Sequence, residues 1–343
     1  MPSVAETRQE VVHLVLPEHG NLYGNLFGGR MMAWIASAAT LVAMRLARGN
    51  VVLGSMDDLD FLAPVRVGDL VVLRAQVEHV GRASMEVGVE VEAEQPRTGE
   101  RRRATTAHLA LVAVDEAGRP RPVGVAVEPA TAEERVLAER ARARKLARMQ
   151  RLADRRERAR DVAAEPEELR FAAEVSRLVF PEDAVGANML FAGTLLQQLD
   201  ECASIQAVRY ARGPVVTASL DALDFYAPIF VGEIVTYRTA INYVGRTSME
   251  IGVKVLAENP RTGELRHTCT AFLTAVHVGP DGRPAPLPPY EPQTAAERRR
   301  WQAAAERRQA RQARLAGLRG GGGAPEPEIA GGLRPGDRGM TVP

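Results

Sequence analysis

The sequence has few cysteines, no long hydrophobic run and almost no excess charge, and each shortage excludes a class of protein. Only Cys202 and Cys269 occur in 343 residues, too few for a disulfide framework or a four-ligand zinc site. No stretch approaches the roughly 18 consecutive apolar residues of a membrane span, and the first ten residues lack the apolar core of a secretory signal. We therefore expect a cytoplasmic protein that is not bound to a membrane.

The charge balance and the missing motifs also narrow the possible partners. A formal net charge of +1 argues against nucleic-acid binding by bulk electrostatics. The chain has no zinc-ligand cluster, phosphate-binding glycine loop or dinucleotide fingerprint, so we expect no metal and no cofactor. With 45% hydrophobic and 25% charged residues, the composition suits a globular protein with two core-bearing domains.

An internal repeat is the most informative feature of the chain. Leu14-Val-Leu-Pro-Glu matches Leu178-Val-Phe-Pro-Glu, and Val80-Gly-Arg-Ala-Ser-Met matches Val244-Gly-Arg-Thr-Ser-Met. Both pairs relate residue n to residue n + 164, since 14 + 164 is 178 and 80 + 164 is 244. The register runs without a gap to about Pro122, with identity at roughly half of about 110 paired positions, which indicates a duplicated domain.

The repeat divides the chain into four parts. We assign residues 1–124 to a first domain, 125–170 to a charged helical linker, 171–287 to a second domain, and 288–343 to a charged helix followed by a tail. Composition sets these boundaries, since Arg, Glu and Ala dominate between and after the repeats.

The linker predicts one long, exposed, charged helix from about Glu128 to Glu168. Thr131 and Glu134 have the spacing of a capping box, and Thr294 opens a similar helix after the second repeat. We interpret the charges as a solvated face with Glu/Arg pairs rather than as a nucleic-acid patch. The glycine run that begins at Gly320 predicts a disordered tail.

Each repeat predicts a long helix followed by β-strands. The helices run over Gly28–Arg48 and Ala192–Arg212, each closed by a glycine C-cap at Gly49 or Gly213. Four strands follow in the first repeat, at Val51–Phe61, Leu70–His79, Ser84–Glu94 and Arg102–Val114. Alternation in the third strand is typical of a half-buried strand, and Pro-Arg-Thr-Gly predicts a tight hairpin turn after it. We predict an α+β fold in which an antiparallel sheet wraps around one helix.

Several motifs make this arrangement resemble a known family. They are Asn21-Leu-Tyr-Gly-Asn-Leu-Phe-Gly-Gly, Asp57…Asp60-Phe61…Pro64, Val80-Gly-Arg-Ala-Ser-Met, and Phe191-Ala-Gly with Leu199-Asp-Glu in the second repeat. Each repeat resembles a hotdog-fold acyl-CoA thioesterase over about Val11–Val123 and Val175–Pro286. The whole chain resembles the tandem-hotdog cytosolic acyl-CoA hydrolases.

The resemblance implies an architecture and an assembly. Two hotdog domains would pack as a pseudo-dimer, with their sheets adjoining and their helices outward. Similar proteins assemble further, so we expect a homo-oligomer, with a trimer of double-hotdog chains as the leading arrangement.

The two repeats differ at the positions that carry the family's chemistry. The resemblance implies an Asn in the loop before the helix and an Asp fifteen residues later. The first repeat has Asn21 but Ala36, whereas the second has Val185 but Asp200. Because the family's Asn and Asp meet across the interface of paired units, Asn21 and Asp200 would build one complete site, and the other pair would build none.

Thioester hydrolysis needs an activated water or a carboxylate nucleophile, together with donors for the oxygen that becomes negative. Asp200 has Leu196 and Ala203 on its own helical face, and such apolar surroundings raise a carboxyl pKa and suit a general base. Asn21 can orient the water or donate a hydrogen bond. The backbone N–H of Gly193, at the helix N-terminus, is our candidate for the oxyanion donor. Whether Asp200 acts as base or nucleophile stays open at this point.

Each of these residues also has a purely structural interpretation. Asn21 lies in a loop where Asn commonly forms turns. Asp200 can be the buried partner of an arginine, and Gly193 can simply permit close packing at the start of a helix. The complementary losses in the two repeats favour the catalytic interpretation of the first two.

Coenzyme A requires groups that bind phosphates. Arg82 with Ser84, and Arg246 with Ser248, follow a glycine at the start of a strand. Their guanidinium and hydroxyl groups are our candidates for holding the diphosphate or the ribose phosphate, although a structural turn explains them equally well.

The sequence as a whole predicts an acyl-CoA thioesterase that releases a free fatty acid and coenzyme A at one composite site per chain. A non-catalytic acyl-CoA-binding or regulatory protein on the same fold is the alternative, because this fold also hosts regulators.

Overall fold

The computed structural model describes residues 1–159, 168–186 and 188–320, and its elements follow the repeat. The first half contains β1 (Gln9–Leu14), α1 (Gly28–Ala47), β2 (Val51–Met56), β3 (Leu59–Asp60), β4 (Leu70–Val80), β5 (Ser84–Glu94) and β6 (Arg101–Ala113). Helix α2 (Ala132–Ala159) follows. The second half contains β7 (Ala172–Leu178), β8 (Ala184–Val185), β9 (Met189–Leu190), α3 (Ala192–Ala211), β10 (Val215–Leu220), β11 (Leu223–Asp224), β12 (Ile234–Val244), β13 (Ser248–Glu258) and β14 (Leu265–His277), and α4 (Ala295–Gly320) comes last.

Each half is an antiparallel sheet curled around its long helix. Alternate residues of β5, among them Val87, Val89 and Val91, are fully buried and face α1, which contributes Ile35 and Val42 to the same core. Each such apolar side chain stabilises the fold by about 1.5–3 kcal/mol when it leaves water. The α+β prediction of two hotdog domains is confirmed.

The two sheets exchange short strands. The first sheet has the order β1-β4-β5-β6-β2-β11 and the second β3-β10-β14-β13-β12-β7. The single strand predicted over Val51–Phe61 is wrong, because β2 ends at Met56 and the next two paired residues leave the sheet. Leu59 and Asp60 of β3 pair with Leu220 and Ser219 of β10 in the other half. Each half thus completes the edge of its partner's sheet.

The two long helices pack against each other at the centre of the molecule. The expectation that they face outward is therefore wrong. Two glycines at equivalent positions allow the close approach: a Cβ added at Gly29 would lie 2.9 Å from the carbonyl oxygen of Gln197, and one at Gly193 would lie 3.1 Å from that of Ala33. A larger residue at either position would push the helices apart.

Helices α2 and α4 lie across the outer faces of the sheets rather than standing free in solvent. Arg148 of α2 is buried and binds Glu86 of β5, with Nη2 2.5 Å from Oε2. Arg311 of α4 binds Glu250 of β13 at 2.9 Å. The predicted pairing of charges along the helix's own surface does not hold for Arg144, Arg148 and Arg151 of α2, which pair with carboxylates of the sheets, whereas most other described side chains of the helix are exposed as predicted. For the same reason β5 is covered on both faces.

These helices also reach the exchanged strands. Arg151 of α2 binds Asp224 of β11 at 2.9 Å, and Arg314 of α4 binds Asp60 of β3 at 2.8 Å. Each helix therefore connects the body of one half to the strand that arrives from the other. The N-cap of α2 has the predicted bond, in which the Glu134 N–H donates to Oγ1 of Thr131 at 3.2 Å.

The ends of the long helices differ from the prediction. The left-handed residues are Arg48 and Arg212, with φ of 49° and 54°, and not the glycines that follow them. A Cβ added at Gly49 would meet the end of the Arg121 side chain, and one at Gly213 would lie 2.6 Å from the His277 ring, so a larger residue at either position requires that side chain to move. The predicted disordered tail and most of the linker beyond α2 lie outside the described residues. No helix in the described ranges is both long and apolar enough to cross a membrane.

Candidate active site

Asp200 lies in the contact between the two helices, where it receives hydrogen bonds from both halves of the chain. It belongs to α3 and is fully buried. The backbone N–H of Gly29, in the first turn of α1, donates to Oδ2 at 2.6 Å, and the hydroxyl of Thr217 on β10 donates to Oδ1 at 2.6 Å. No described arginine or lysine forms an ion pair with Asp200, so the alternative of a structural arginine partner is not supported.

The surroundings of Asp200 raise its pKa. Burial disfavours the charged carboxylate and raises the pKa to about 6, although the hydrogen bonds from Thr217 and Gly29 favour the charged form and limit the rise. The group is therefore ionised at neutral pH but takes up a proton more readily than an exposed Asp. A base with these properties suits proton transfer from water.

A cavity of about 710 Å³, which we call cavity 1, opens in front of this carboxylate. It is lined by both halves, with Asn21, Gly28 and Phe61 from the first and Thr217 and Ser248 from the second. Asp200 lies directly behind Gly28, since a Cβ added at this glycine would lie 3.0 Å from Oδ2. A side chain at position 28 would therefore crowd the carboxylate from the cavity side.

Asn21 serves the loop and faces the cavity at the same time. Its Oδ1 accepts hydrogen bonds from the N–H groups of Tyr23 at 2.9 Å and Asn25 at 3.2 Å, the geometry of an Asx turn. Within the described chain the side-chain amide nitrogen donates to no other residue. The turn thus fixes the orientation of the amide and leaves two donor hydrogens for a ligand.

The structure changes the assignment of the helix N-terminus. Gly193 does not line cavity 1 within the described chain; it starts α3 and packs against Ala33 of α1. It also lies seven residues before Asp200 on the same helix, a rise of about 10 Å, so its N–H cannot serve a carbonyl at that carboxylate. The oxyanion role of Gly193 therefore stays a prediction that this geometry does not favour, and the contact with Ala33 agrees with the close-packing alternative. The N-terminus that reaches Asp200 is that of α1, where the N–H of Gly28 has no partner within the helix.

A second cavity, cavity 2, occupies the equivalent place at the other side of the interface. It has a volume of about 240 Å³ and is lined by Val185, Ala192 and Phe225, the counterparts of Asn21, Gly28 and Phe61. Ala36, the counterpart of Asp200, is buried within the core. None of the residues that line cavity 2 in the described chain carries a charge.

The residues predicted to bind coenzyme A are divided between the two halves. Ser248 lines cavity 1, and Arg246, two residues earlier, is exposed in the turn between β12 and β13. Arg82 is exposed in the corresponding turn of the first half, and neither it nor Ser84 is among the described residues that line the two cavities. Of these four residues, only Ser248 is therefore among the described residues that line the cavity with Asn21.

Sequence reasoning missed Thr217 and Gly28. The signal was available, because the repeat relates Thr217 to Leu53 and Gly28 to Ala192, since 217 − 164 is 53 and 28 + 164 is 192. At both positions, as with Asn21 and Asp200, the residue near cavity 1 is replaced by an apolar one at the equivalent position near cavity 2. Among the described residues, no group of three or more His, Cys, Asp and Glu side chains is arranged to hold a metal ion.

Comparison with known proteins agrees with this geometry. The model of the thioesterase superfamily matches twice, at residues 23–100 and 187–264. Protein VdlD of Helicobacter pylori is 42% identical over 137 residues, which cover 40% of this chain and 78% of VdlD. The chain belongs to the thioesterase superfamily. Its two matches within the superfamily correspond to the two halves of the repeat.

Relatives within the thioesterase superfamily include double-length and single-length proteins. The cytosolic acyl coenzyme A thioester hydrolase of Homo sapiens is 27% identical over 308 residues, covering 84% of this chain and 79% of that protein. A solved acyl-CoA hydrolase from Staphylococcus aureus, in complex with butyryl coenzyme A, coenzyme A and coenzyme A disulfide, is 30% identical. It covers 47% of this chain and 98% of its own, with a TM-score of 0.44.

Proposed function

We propose that the protein hydrolyses acyl-CoA thioesters to a free carboxylate and coenzyme A at one composite site per chain. The observation that carries the proposal is the buried Asp200 of the second half, hydrogen-bonded by the first turn of α1 from the first half, behind a cavity that Asn21 lines. Membership of the thioesterase superfamily and the names of the relatives support the substrate class.

Asp200 acts as the general base in this proposal. Both of its oxygens already accept one hydrogen bond, so the carboxylate is fixed in place and retains lone pairs for a water molecule. At neutral pH it takes a proton from that water as the water oxygen attacks the thioester carbonyl carbon. The proton then passes to the departing sulfur of coenzyme A as the carbon–sulfur bond breaks.

Two donors stabilise the carbonyl oxygen as it becomes negative. The amide nitrogen of Asn21 faces cavity 1, and the N–H of Gly28 points out of the N-terminus of α1 with the favourable end of the helix dipole. The nucleotide part of the substrate extends toward Ser248 and Arg246. We carry over neither Arg82 nor Ser84 into this site.

The remaining proposals concern cellular context and assembly. We place the enzyme in the cytoplasm, in line with relatives whose names include the word cytosolic. We also propose a homotrimer of chains. Equivalent apolar side chains of the two halves, Leu14 with Leu178 and Leu16 with Phe180, are between 38% and 49% exposed and give matching surfaces for further association.

Release of free thiol from a panel of acyl-CoAs tests the function directly. We expect turnover by the wild-type protein and about a 100-fold lower kcat for Asn21→Ala, because one donor to the developing oxyanion is lost. Val185→Ala changes the counterpart in cavity 2 and provides the matched control, with turnover equal to wild type. Absence of wild-type turnover at every chain length, with coenzyme A binding retained, would contradict hydrolysis and support the alternative of a binding or regulatory protein.

A further inference from the structure

The charged helices α2 and α4 are themselves copies of each other, displaced by one residue from the register of the domains. Thr131 corresponds to Thr294 and Arg148 to Arg311, since 294 − 131 and 311 − 148 are both 163. The same offset relates Lys145 to Arg308. The duplication therefore includes the helix that follows each domain, and each position on α4 has a natural control on α2.

Only one of the two copies takes part in a cavity. Helix α4 lines cavity 1 with Arg308, Arg311, Gln312 and Leu315. The counterparts on α2 are Lys145, Arg148, Met149 and Leu152, and none of these described residues lines cavity 2. Helix α4 is thus part of the wall of the cavity that contains Asn21, whereas the described side chains of α2 cover its sheet and line neither cavity.

The arginines of α4 differ in what they bind. Arg307 and Arg311 bind Glu250 at 2.5 and 2.9 Å, and Arg314 binds Asp60 at 2.8 Å. Glu250 and Asp60 are the two carboxylates that line cavity 1, so the negative charge of its wall is already compensated. Arg308, in contrast, forms no ion pair with any described carboxylate.

Arg308 is oriented by the turn that contains the predicted phosphate-binding residues. Its guanidinium carbon lies 5.5 Å from the centre of the Tyr243 ring, a cation–π contact. A Cβ added at Gly245 would lie 3.7 Å from its Nη2. Ser248, at the other end of this turn, lines the same cavity, as do Tyr243 and Arg308. A half-buried, unpaired guanidinium and a hydroxyl therefore converge at one part of the cavity wall.

We propose that Arg308 binds a phosphate group of coenzyme A, which makes α4 a substrate-binding element of the site. The inference rests on the proposed function for the identity of the anion. A guanidinium offers several N–H donors in a planar fork that matches phosphate oxygens, and an arginine with no carboxylate partner keeps them free. Contact with Tyr243 reduces the number of orientations that the side chain must give up on binding.

Arg308→Gln tests the assignment in the full-length chain, with coenzyme A binding followed by calorimetry and hydrolysis followed by thiol release. We expect Kd for coenzyme A and KM for an acyl-CoA to rise about tenfold, because a charge-assisted hydrogen bond is lost, while kcat stays the same. An acyl thioester of N-acetylcysteamine has no phosphate, so its hydrolysis should not distinguish Arg308→Gln from wild type.

Lys145→Gln, the counterpart on α2, is the matched control and should bind and hydrolyse like wild type. An unchanged Kd for coenzyme A in Arg308→Gln would overturn the assignment. An equal loss of hydrolysis with the phosphate-free thioester would also overturn it, as would a loss of hydrolysis confined to substrates that carry a carboxylate on the acyl group. The binding arm separates this inference from the proposed function. If the wild-type protein shows no hydrolysis but Arg308→Gln still binds coenzyme A more weakly than wild type, the phosphate contact is supported and the thioesterase function is contradicted.

Discussion

Cavity 1 and cavity 2 are lined by equivalent segments of the two halves, and several of the residues that differ between them lie next to Asp200. In cavity 1 the first half contributes Asn21 and Gly28, and cavity 2 has Val185 and Ala192 in their places. The larger cavity also gains a wall from α4, and no described residue of α2 lines the smaller one. Apolar replacement of the polar residues leaves cavity 2 as a remnant that keeps the packing of the interface without its chemistry.

The comparison shows how a duplicated pair can lose one site without losing both. In a symmetric pair of units every catalytic residue occurs twice, and each site takes residues from both units. In the proposed site, the Asp of one half acts with the Asn of the other, so the absence of an Asp at position 36 and of an Asn at position 185 affects one and the same site. The surviving residues, Asn21 and Asp200, are then free of any requirement for symmetry.

The largest effect is expected from removing the acid itself. Asp200→Ala should lower kcat/KM by about 1,000-fold, because the general base is lost while the rest of the wall remains. Glu201→Gln changes the neighbouring carboxylate, which accepts a hydrogen bond from the Gln197 amide. Its negative charge contributes to the raised pKa of Asp200, so its removal lowers that pKa and should leave activity at neutral pH at the wild-type level. Thiol release, measured over a range of acyl-CoA concentrations, gives kcat/KM for both variants. Near-normal turnover by Asp200→Ala would remove this residue from the mechanism and abolish the functional difference between the cavities.

The wild-type pH profile gives the next largest effect. Since burial raises the pKa of Asp200 to about 6, and a base acts only when deprotonated, kcat/KM should fall about tenfold per pH unit below that value. Half of the carboxyl groups are ionised at pH 6 and about 1% at pH 4, so the expected loss between these two values is about 50-fold. Circular dichroism at each pH shows whether the chain stays folded. A flat profile down to pH 4 in folded protein would contradict a buried carboxylate as the base.

Thr217→Val should produce a loss of about tenfold at neutral pH. The hydroxyl donates to Asp200 at 2.6 Å and favours its charged form, so its removal raises the pKa of the carboxyl and moves the acid limb of the profile to higher pH. The loss should shrink as the pH increases. Leu53→Val alters the counterpart near cavity 2 and should leave the profile unchanged. An acid limb that does not move in Thr217→Val would mean that the threonine does not tune the base.

Substitutions on helix α2 should have the smallest effect on activity, although one of them should have a large effect on stability. Arg148→Ala leaves Glu86 buried without its partner and should lower the free energy of unfolding by about 3 kcal/mol. Burial already raises the pKa of Glu86 to about 7 despite Arg148, so protonation of the carboxyl limits the cost. Urea denaturation measures the change.

Arg140 is exposed on the same helix, and Arg140→Ala should cost less than about 0.5 kcal/mol. Turnover of both α2 variants should match wild type at temperatures where they are folded. A selective loss of activity in Arg148→Ala would show that α2 contributes to the site after all.

Much of the fold and part of the site could be predicted from the sequence. The repeat defined two equivalent halves, and the apolar period located helix α1 and the inner face of β5. Alternation in β5 predicts a half-buried strand, but it cannot show that an arginine of a distant helix covers Glu86 on the polar face. The exchange of Leu59 and Asp60 was missed for the same reason, since a strand pattern does not identify its partner.

The site was predictable where the repeat was compared residue by residue, and less so where geometry decides. Asn21 and Asp200 stood out because each lacks its counterpart. Gly193 was assigned by its position on the same helix as Asp200, yet the packing of two helices brings the N-terminus of the opposite one to the carboxylate. Arg308 and its counterpart Lys145 are both basic, so the sequence does not separate them. They differ in the structure because Arg308 lines cavity 1.

The exchange of strands β3 and β11 has a consequence for how the protein is made. Ribosomes add about 5–20 residues per second, so roughly ten to forty seconds separate the synthesis of Asn21 from that of Asp200. During this interval the nascent first half lacks β11 at its edge and has its own β3 without a partner sheet. A chain that terminates early therefore exposes an open sheet edge to quality control and contains no assembled site. The proposed site, which needs both Asn21 and Asp200, is complete only after the second half has been translated and docked.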